Sequence, residues 1–466
     1  MDESESKNEK QKEERRFRPE QYDILKRCSD KRDVTEWNEW RKQNPNKDIL
    51  LEQADLGGAH LERANMYKAH LKEATFTRAI LNQTSFNEAQ LEGAQLFEAH
   101  LQQAELFGTN LEGADLSNAD LKGAQLEGVN LKDSVLRGAN LENAVLSNSH
   151  AEGSNFESAN LIGAKFGLAH LEGVNFRAAH LGAAKLKQAH LEGSNFYEAH
   201  MEYAIFKGAY MQDACLYGVH AENIELVGAH LEGVTLRHAY LNASNLDNAH
   251  LTGAKFDRTQ LKGASLCFTN LRGARFNEAH LENAKFGWAV VDGSTLFRKC
   301  RLDEHTDFHG VGLEGCRIDS GTKQLLQYNI RRTNWEDWYK EHRWLKWLVK
   351  TFWWTSDYGR STGRIVMTFF TLAVVFALVY WLAPGFVMVK DMVGNIRGFW
   401  HALYFSVVTM TTLGFGDIAA NPDSWWGQTL LMVQVILGYV LLGALVTRFA
   451  VLFTAGGPAG KFSNDK

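Results

Sequence analysis

From Leu51 to Leu296 every fifth residue is Leu, Phe, Met, Val or Ala, through fifty positions without a slip in the sequence register. The run opens Leu51, Leu56, Leu61, Met66, Leu71, Phe76; Ala151 and Ala221 are its only small members and Val291 its only β-branched one. Two residues before nearly every one stands a small side chain, usually Ala (Ala54, Ala59, Ala64), with Ser, Thr or Val as stand-ins. A period of five fits neither the 3.6 of a helix nor the 2 of a strand, so an amphipathic helix and an ordinary sheet are both excluded. It suits a solenoid that turns a corner every five residues and points one large and one small side chain inward.

Stretches such as "ADLSNADLKGAQLEGVNL" and "AHLEGVNFRAAHL" resemble the pentapeptide-repeat family, whose motif is A(D/N)LxX. The resemblance covers residues 49–300 and implies a right-handed quadrilateral parallel β-helix with four pentapeptides to a coil. About twelve coils at ~4.8 Å spacing would make a rod of roughly 60 Å. The ends of such a rod need caps. Residues 34–48, with Val34, Trp37 and Trp40 on one face, are expected to form an N-terminal cap helix, and residues 1–33 a charged, disordered tail. Some members of the family mimic DNA and bind type II topoisomerases. The resemblance therefore leaves open a membrane-anchored scaffold or topoisomerase-binding module without conduction. The balance of 50 Lys+Arg against 55 Asp+Glu lacks the basic excess of a nucleic-acid binder, so no nucleic-acid partner is expected.

A second period of ten overlies the first. The residue before the central Leu, Met or Ala is His at 60, 70, 100, 150, 170, 180, 190, 200, 220, 230, 250 and 280. With the family's twenty residues per coil, His150, His170, His190, His230 and His250 fall on one face, and His180, His200 and His220 on the opposite one. Three readings stand: a surface ladder interchangeable with Asn, Asp, Gln and Tyr, a pH-sensing stack of imidazoles ~5 Å apart, and ordered metal binding.

The five cysteines contain no CxxC pair, which excludes a disulfide framework and an ordinary zinc ribbon and fits a reducing compartment. Cys300, His305, His309 and Cys316 have a spacing that could hold Zn²⁺, or could belong to the irregular closure of the rod. Residues 1–20 are mostly charged and polar, with no apolar core of a signal peptide. No phosphate loop, nucleotide fingerprint or nucleophile constellation is present, so the chain is expected to be no enzyme and to need no cofactor.

The mean hydropathy of −0.29 conceals two long apolar segments. Ile365–Val389 carries no charge, and neither does Ser424–Thr447 between Asp423 and Arg448. About twenty residues of helix cross a ~30 Å hydrocarbon core. Spans are therefore predicted over 365–383, ended by Pro384, and over 425–453, opened by Trp425 and Trp426 at the interface. Arg343, Lys346, Lys350, Arg360 and Arg364 precede the first span and Arg448 ends the second, which places both termini on the cytoplasmic side of a plasma (inner) membrane. Leu325–Trp354, dense in Trp, Tyr, Lys and Arg, reads as an interfacial helix or as a linker packed on the rod's end, within a connecting region of 301–362. Residues 456–466 form a short tail.

Between the spans lies "GFWHALYFSVVTMTTLGFGDIAANPDSWWG". Residues 398–410 are too short to cross but long enough for a re-entrant helix, and Thr412-Leu413-Gly414-Phe415-Gly416-Asp417 follows at once. Residues 363–455 thus resemble a two-span potassium channel pore, with TVGYGD appearing as TLGFGD. The resemblance implies a filter at 412–416 in which carbonyls of Thr412, Leu413, Gly414 and Phe415 replace the hydration of K⁺, the permeant ion. Gly414 and Gly416 would supply the backbone freedom, and Asp417 would gather cations at the outer mouth. One chain would supply a quarter of the pore, which implies a homotetramer in a lipid bilayer. Phe415 stands where Tyr is usual. Tyr404, Phe405 and Val408 replace the Trp-Trp and Glu of many relatives, changes that selectivity should survive and that bear on filter stability and inactivation. A weakly selective cation channel is a further alternative, against which the intact Thr-x-Gly-x-Gly argues. Gly438 falls at the family's inner-helix hinge, with close packing as its other reading, supported by Gly443. No Arg-rich voltage-sensing helix is seen, and regulation is expected to act through the N-terminal rod, the linker or the lipid.

Overall fold

Each pentapeptide makes one β-turn and one β-bridge. In the first, the Ala54 N–H returns to the Leu51 carbonyl at 3.1 Å, with Gln53 left-handed at φ 61°. The same turn position is left-handed from Gln53 to Trp288, which explains why Gly recurs there, as at Gly58. The bridge residue pairs in parallel with the residue twenty positions later: Asp55 with Thr75, His60 with Ile80, Asn65 with Ser85, His70 with Gln90. Four bridge columns therefore complete one coil.

The computed structural model describes residues 16–342, 346–347, 350, 361–389, 398–411 and 418–454. They fall into two units, Met1–Leu326 and Gln327–Lys466. In the first, the Leu column and the Ala column of the repeat are buried almost without exception. Large residues twenty apart lie directly over one another: Phe156, Phe176 and Phe196 stack at 5.3 and 4.9 Å. Where Thr takes the small position its hydroxyl is satisfied, as at Thr84, which donates to the Leu61 carbonyl at 2.8 Å. Outside, Asn side chains form a ladder, with Asn160 donating to Asn140 at 3.0 Å and Asn175 to Asn155 at 3.0 Å.

The N-terminal edge of the first coil has no earlier coil to supply hydrogen-bond acceptors, and an open edge invites pairing with another chain. Two helices close it, α1 (Pro19–Lys31) and α2 (Thr35–Gln43). Three edge N–H groups find side-chain acceptors: Leu50 on Gln21 at 2.9 Å, His60 on Ser29 at 3.0 Å, Asn65 on Asn38 at 2.9 Å. Trp37, fully buried, donates its indole N–H to the Asn65 carbonyl at 2.9 Å. The expected disordered tail is thus corrected over residues 16–33. Arg18 and Arg16 pair with the backbone of Leu50 and Glu52, and Gln21, Leu25 and Cys28 are buried.

The other end departs from strict register. In the sheet β1 (Arg275–Asn277), β2 (Leu296–Arg298) and β3 (Arg317–Ile318), Phe276 pairs with Phe297, twenty-one residues on. The inward place therefore belongs to Phe297, not to Leu296 of the sequence register, and Val291 is only half-buried. Coiling continues past residue 300, with Lys285 bridged to Asp307 and Phe286 stacked on Phe308 at 4.4 Å. Inserted residues near Asp292 and Asp303 move a backbone carbonyl out of reach, and an Asp carboxylate takes its place there, as Asp319 does where the coil gives way to the next helix. The Gly273 N–H donates to Asp292 at 3.1 Å, Asn283 to Asp303 at 2.9 Å and Lys299 to Asp319 at 2.8 Å.

Helix α3 (Ser320–Glu341) follows, with Trp338 stacked on His342 at 4.3 Å. Much of the rest of the predicted interfacial stretch (343–345, 348–349 and 351–354) lies outside the described residues. In the second unit, α4 (Thr362–Leu382) leads through β4 (Val387–Val389) to α5 (Phe399–Met410), β5 (Ile418–Ala420) and α6 (Trp425–Thr454). Strands β4 and β5 pair antiparallel, Val389 opposite Ile418.

Candidate ion-conducting site

The Ser361 hydroxyl accepts from the Arg364 N–H at 3.2 Å and so fixes the start of α4. Helices α4 and α6 are both long and apolar enough to cross a membrane, over Thr362–Leu382 and Trp425–Thr447; α5, twelve residues, is not. Their outer faces stay apolar and uncovered, with Met367, Phe370 and Val375 on α4 and Met432, Ile436 and Val440 on α6. Inside, Phe376, Tyr380, Ala402 and Phe405 form one core, and Ile365, Ala373, Met410 and Leu441 a second.

A chain of buried polar groups ties the three helices together. The Tyr380 hydroxyl of α4 donates to Gln434 Oε1 of α6 at 2.7 Å. Gln434 Nε2 donates to the Ser406 Oγ of α5 at 2.7 Å and to its carbonyl at 3.0 Å, and Ser406 donates to the Ala373 carbonyl of α4 at 2.8 Å. All three side chains are fully buried. A polar residue in an apolar span is costly unless every group is paired, and each of these is. The sequence reading missed them, although Gln434, in the middle of the uncharged run of α6, is the available signal.

Helix α5 begins at Gly398, whose φ of 142° and ψ of 155° belong to a region other residues rarely enter. It ends at Met410, capped by Thr411, whose hydroxyl donates to the Val407 carbonyl at 3.0 Å. The filter residues of the sequence reading, Thr412, Leu413, Gly414, Phe415 and Gly416, lie outside the described residues, as does Asp417. Their flanks are described. The last turn of α5 precedes them, and β5 follows them, held by Asn421, which donates to the Gly385 carbonyl at 2.9 Å.

Gly438 lies where α6 crosses the end of α5. A Cβ there would press on the Met410 carbonyl oxygen and stand 2.8 Å from the Met410 Cα. Gly427 meets the Phe386 backbone as closely, a contact the sequence reading did not single out. A Cβ on Gly443 meets nothing within 4 Å.

The histidines of the rod stack as their spacing implies. His150, His170 and His190 lie 4.8 and 4.9 Å apart, continued through Tyr210 to His230 and His250; His180, His200 and His220 form a second column. Cys300, His305, His309 and Cys316 are not among the residue groups that the structure gathers within reach of one ion. The Cys300 thiol donates to the Phe276 carbonyl at 2.8 Å, and burial pushes its pKa well above the usual thiol range. Burial, with Asp292 nearby, pushes Cys316 up to about 11, so neither thiolate forms readily.

Comparison with known proteins divides the chain in the same way. A family model described as pentapeptide repeats matches overlapping segments over residues 47–133 and 139–296, more than half of the chain, and one described as an ion channel matches 367–455. The chain belongs to the pentapeptide-repeat family, with an ion-channel segment at its C-terminal end. That end is similar to two-pore potassium channel 1 of Arabidopsis thaliana, 38% identical over 97 residues, 20% of this chain and 24% of the relative. The chain thus spans about a quarter of that relative's length. The rod is similar to HetL, a pentapeptide repeat protein involved in heterocyst differentiation regulation from the cyanobacterium Nostoc sp. strain PCC 7120. The match has 26% identity and a TM-score of 0.29, and covers 43% of this chain and 88% of that one. It is also similar to trypsin-treated QnrB1, a plasmid-mediated fluoroquinolone resistance protein, at 17% identity and a TM-score of 0.33, covering 47% and 94%. Neither family matched is an enzyme family.

Proposed function

We propose that the chain forms a K⁺-selective channel, four copies to a pore, with the pentapeptide-repeat β-helix as a cytoplasmic scaffold or regulator of gating. The observation that carries this reading is an order along the chain. A spanning helix, a short helix ending at Met410, the residues TLGFGD, a strand anchored by Asn421 and a second spanning helix follow one another. The ion-channel match over 367–455 and the potassium-channel relative support it.

In this reading α5 is a re-entrant pore helix whose partially negative C-terminal end favours a cation. Carbonyls of Thr412, Leu413, Gly414 and Phe415 replace water around K⁺, Gly416 completes the filter strand, and Asp417 gathers ions at the outer mouth. Gly438 serves as both a close-packing point and the hinge of the inner helix, with Gly443 a turn further on. The rod, residues 49–300 with the coiling that continues to Ile318, is a right-handed quadrilateral helix, and both termini face the cytoplasm of a cell bounded by the plasma membrane.

Gly414→Asp tests it: a carboxylate in the carbonyl ring should abolish selective K⁺ flux in proteoliposomes while assembly, read by gel filtration, is largely kept. A variant that still passes K⁺ over Na⁺ would remove the filter assignment.

A further inference from the structure

We propose that the histidine–glutamate columns of the repeat domain bind borderline divalent cations such as Zn²⁺, each held by imidazole and carboxylate donors from successive coils. Four groups bring their ligand atoms within 4.8 Å of one another: His150–Glu152–His170, Glu172–His190–Glu192, His200–Glu202–His220 and His230–Glu232–His250.

The repeat makes these groups. A His at a bridge position points out of the coil, and the Glu two residues on turns back beside it. Within the groups the Nδ1 to Oε1 separations are 3.4 Å at His200–Glu202, 3.5 Å at His150–Glu152 and at His190–Glu192, and 3.8 Å at His230–Glu232. Two donors each ~2.05 Å from an ion in a tetrahedral site stand about 3.3 Å apart, so small side-chain shifts close each pair on a shared ion. The third donor comes from the neighbouring coil, 4.8 Å away ring to ring at His200 and His220, and a half-exposed imidazole can turn that far.

The carboxylates ask for a cation. Glu152, Glu172, Glu192 and Glu232 each keep the second oxygen buried with no hydrogen-bond donor. A carboxylate denied water on one side depends on positive charge at the other. At Glu152 part of that charge is Lys132, 3.3 Å away, so the His150 group should be the weakest of the four. Imidazole with carboxylate, without thiolate, selects Zn²⁺ and its neighbours over Mg²⁺ and Ca²⁺, which prefer oxygen alone.

The test is direct binding, independent of conduction. The full chain in detergent, stripped with a chelator, is titrated calorimetrically with ZnCl₂, and bound zinc is counted by mass spectrometry after dialysis. Up to four ions per chain are expected. A variant with His200, His220, His230 and His250 all changed to Asn should fold, because Asn140 and Asn160 already occupy such ladder positions, and it should lose the ions of those two groups. The matched variant Glu202→Gln with Glu232→Gln should weaken the same two sites by roughly tenfold or more. Less than one zinc per chain at saturating metal, or zinc binding that neither variant alters, would overturn the proposal. Either result leaves the channel reading to be judged by flux alone.

Discussion

The Tyr380 hydroxyl donates to Gln434 Oε1 at 2.7 Å, and through Gln434 to Ser406, so the two spanning helices and the short helix between them share one hydrogen-bonded chain. Gln434→Leu would leave the buried Tyr380 hydroxyl without its acceptor and take one donor from Ser406, whose hydroxyl keeps the Ala373 carbonyl. A cost of ~1–3 kcal/mol follows from an unsatisfied buried group. The thermal midpoint of the detergent-solubilised protein should fall accordingly, and K⁺ flux with it, since α5 would lose its tie to α6. Tyr380→Phe, which removes one bond and leaves Gln434 paired with Ser406, should cost less than Gln434→Leu.

The crossing of α6 over Met410 has no room for a side chain at residue 438. Gly438→Leu should be strongly destabilising, by about 1–3 kcal/mol or more from overpacking, and should reduce assembled protein on gel filtration. Gly443→Ala, with open space around it, should stay within about 0.5 kcal/mol of the parent. Equal effects at the two glycines would contradict the packing described.

Trp37 closes the first coil of the rod. Trp37→Ala should cost about 3–5 kcal/mol of cap stability and leave the Asn65 carbonyl without its indole partner. An uncovered coil end is a pairing template, so concentration-dependent association by light scattering should accompany the loss.

Acid should act on the far end of the rod. Hydrogen bonds from the Ser294 hydroxyl first, then from the backbone N–H groups of Ser294 and Gly273 and the Thr295 hydroxyl, hold the Asp292 carboxyl well below the usual carboxylate range despite partial burial. A folded pKa below the unfolded one contributes stability that is full above about 3.9 and lost as pH falls beneath it. The thermal midpoint by circular dichroism should therefore drop on acidification below roughly pH 4. Asp292→Asn should lower the midpoint at neutral pH and flatten part of that fall.

The rod was legible because a single period marks a solenoid and the resemblance to the pentapeptide-repeat family supplies four pentapeptides to a coil. Once Leu56 and Ala59 are assigned inward, the columns of Phe176 and His170 follow twenty residues at a time. What the period hides is where it stops. Leu296 keeps the sequence register, yet Phe297 takes the inward place, because the inserted residues near Asp292 shift the backbone and a side-chain carboxylate fills the missing acceptor. Helix α1 was illegible for another reason. Its charged composition looks disordered, and only contact with the coil edge gives Gln21 and Cys28 something to bury against. In the channel segment, hydropathy marks the two spans, but Gln434 and Ser406 read as minor polar interruptions until the fold sets them side by side.

The reversal potential of the purified protein in planar bilayers under a K⁺/Na⁺ gradient tests the central claim most directly. A value close to the K⁺ equilibrium potential, abolished by Gly414→Asp, is expected of a selective pore. A potential near zero with measurable current would contradict it and make the pore a non-selective one.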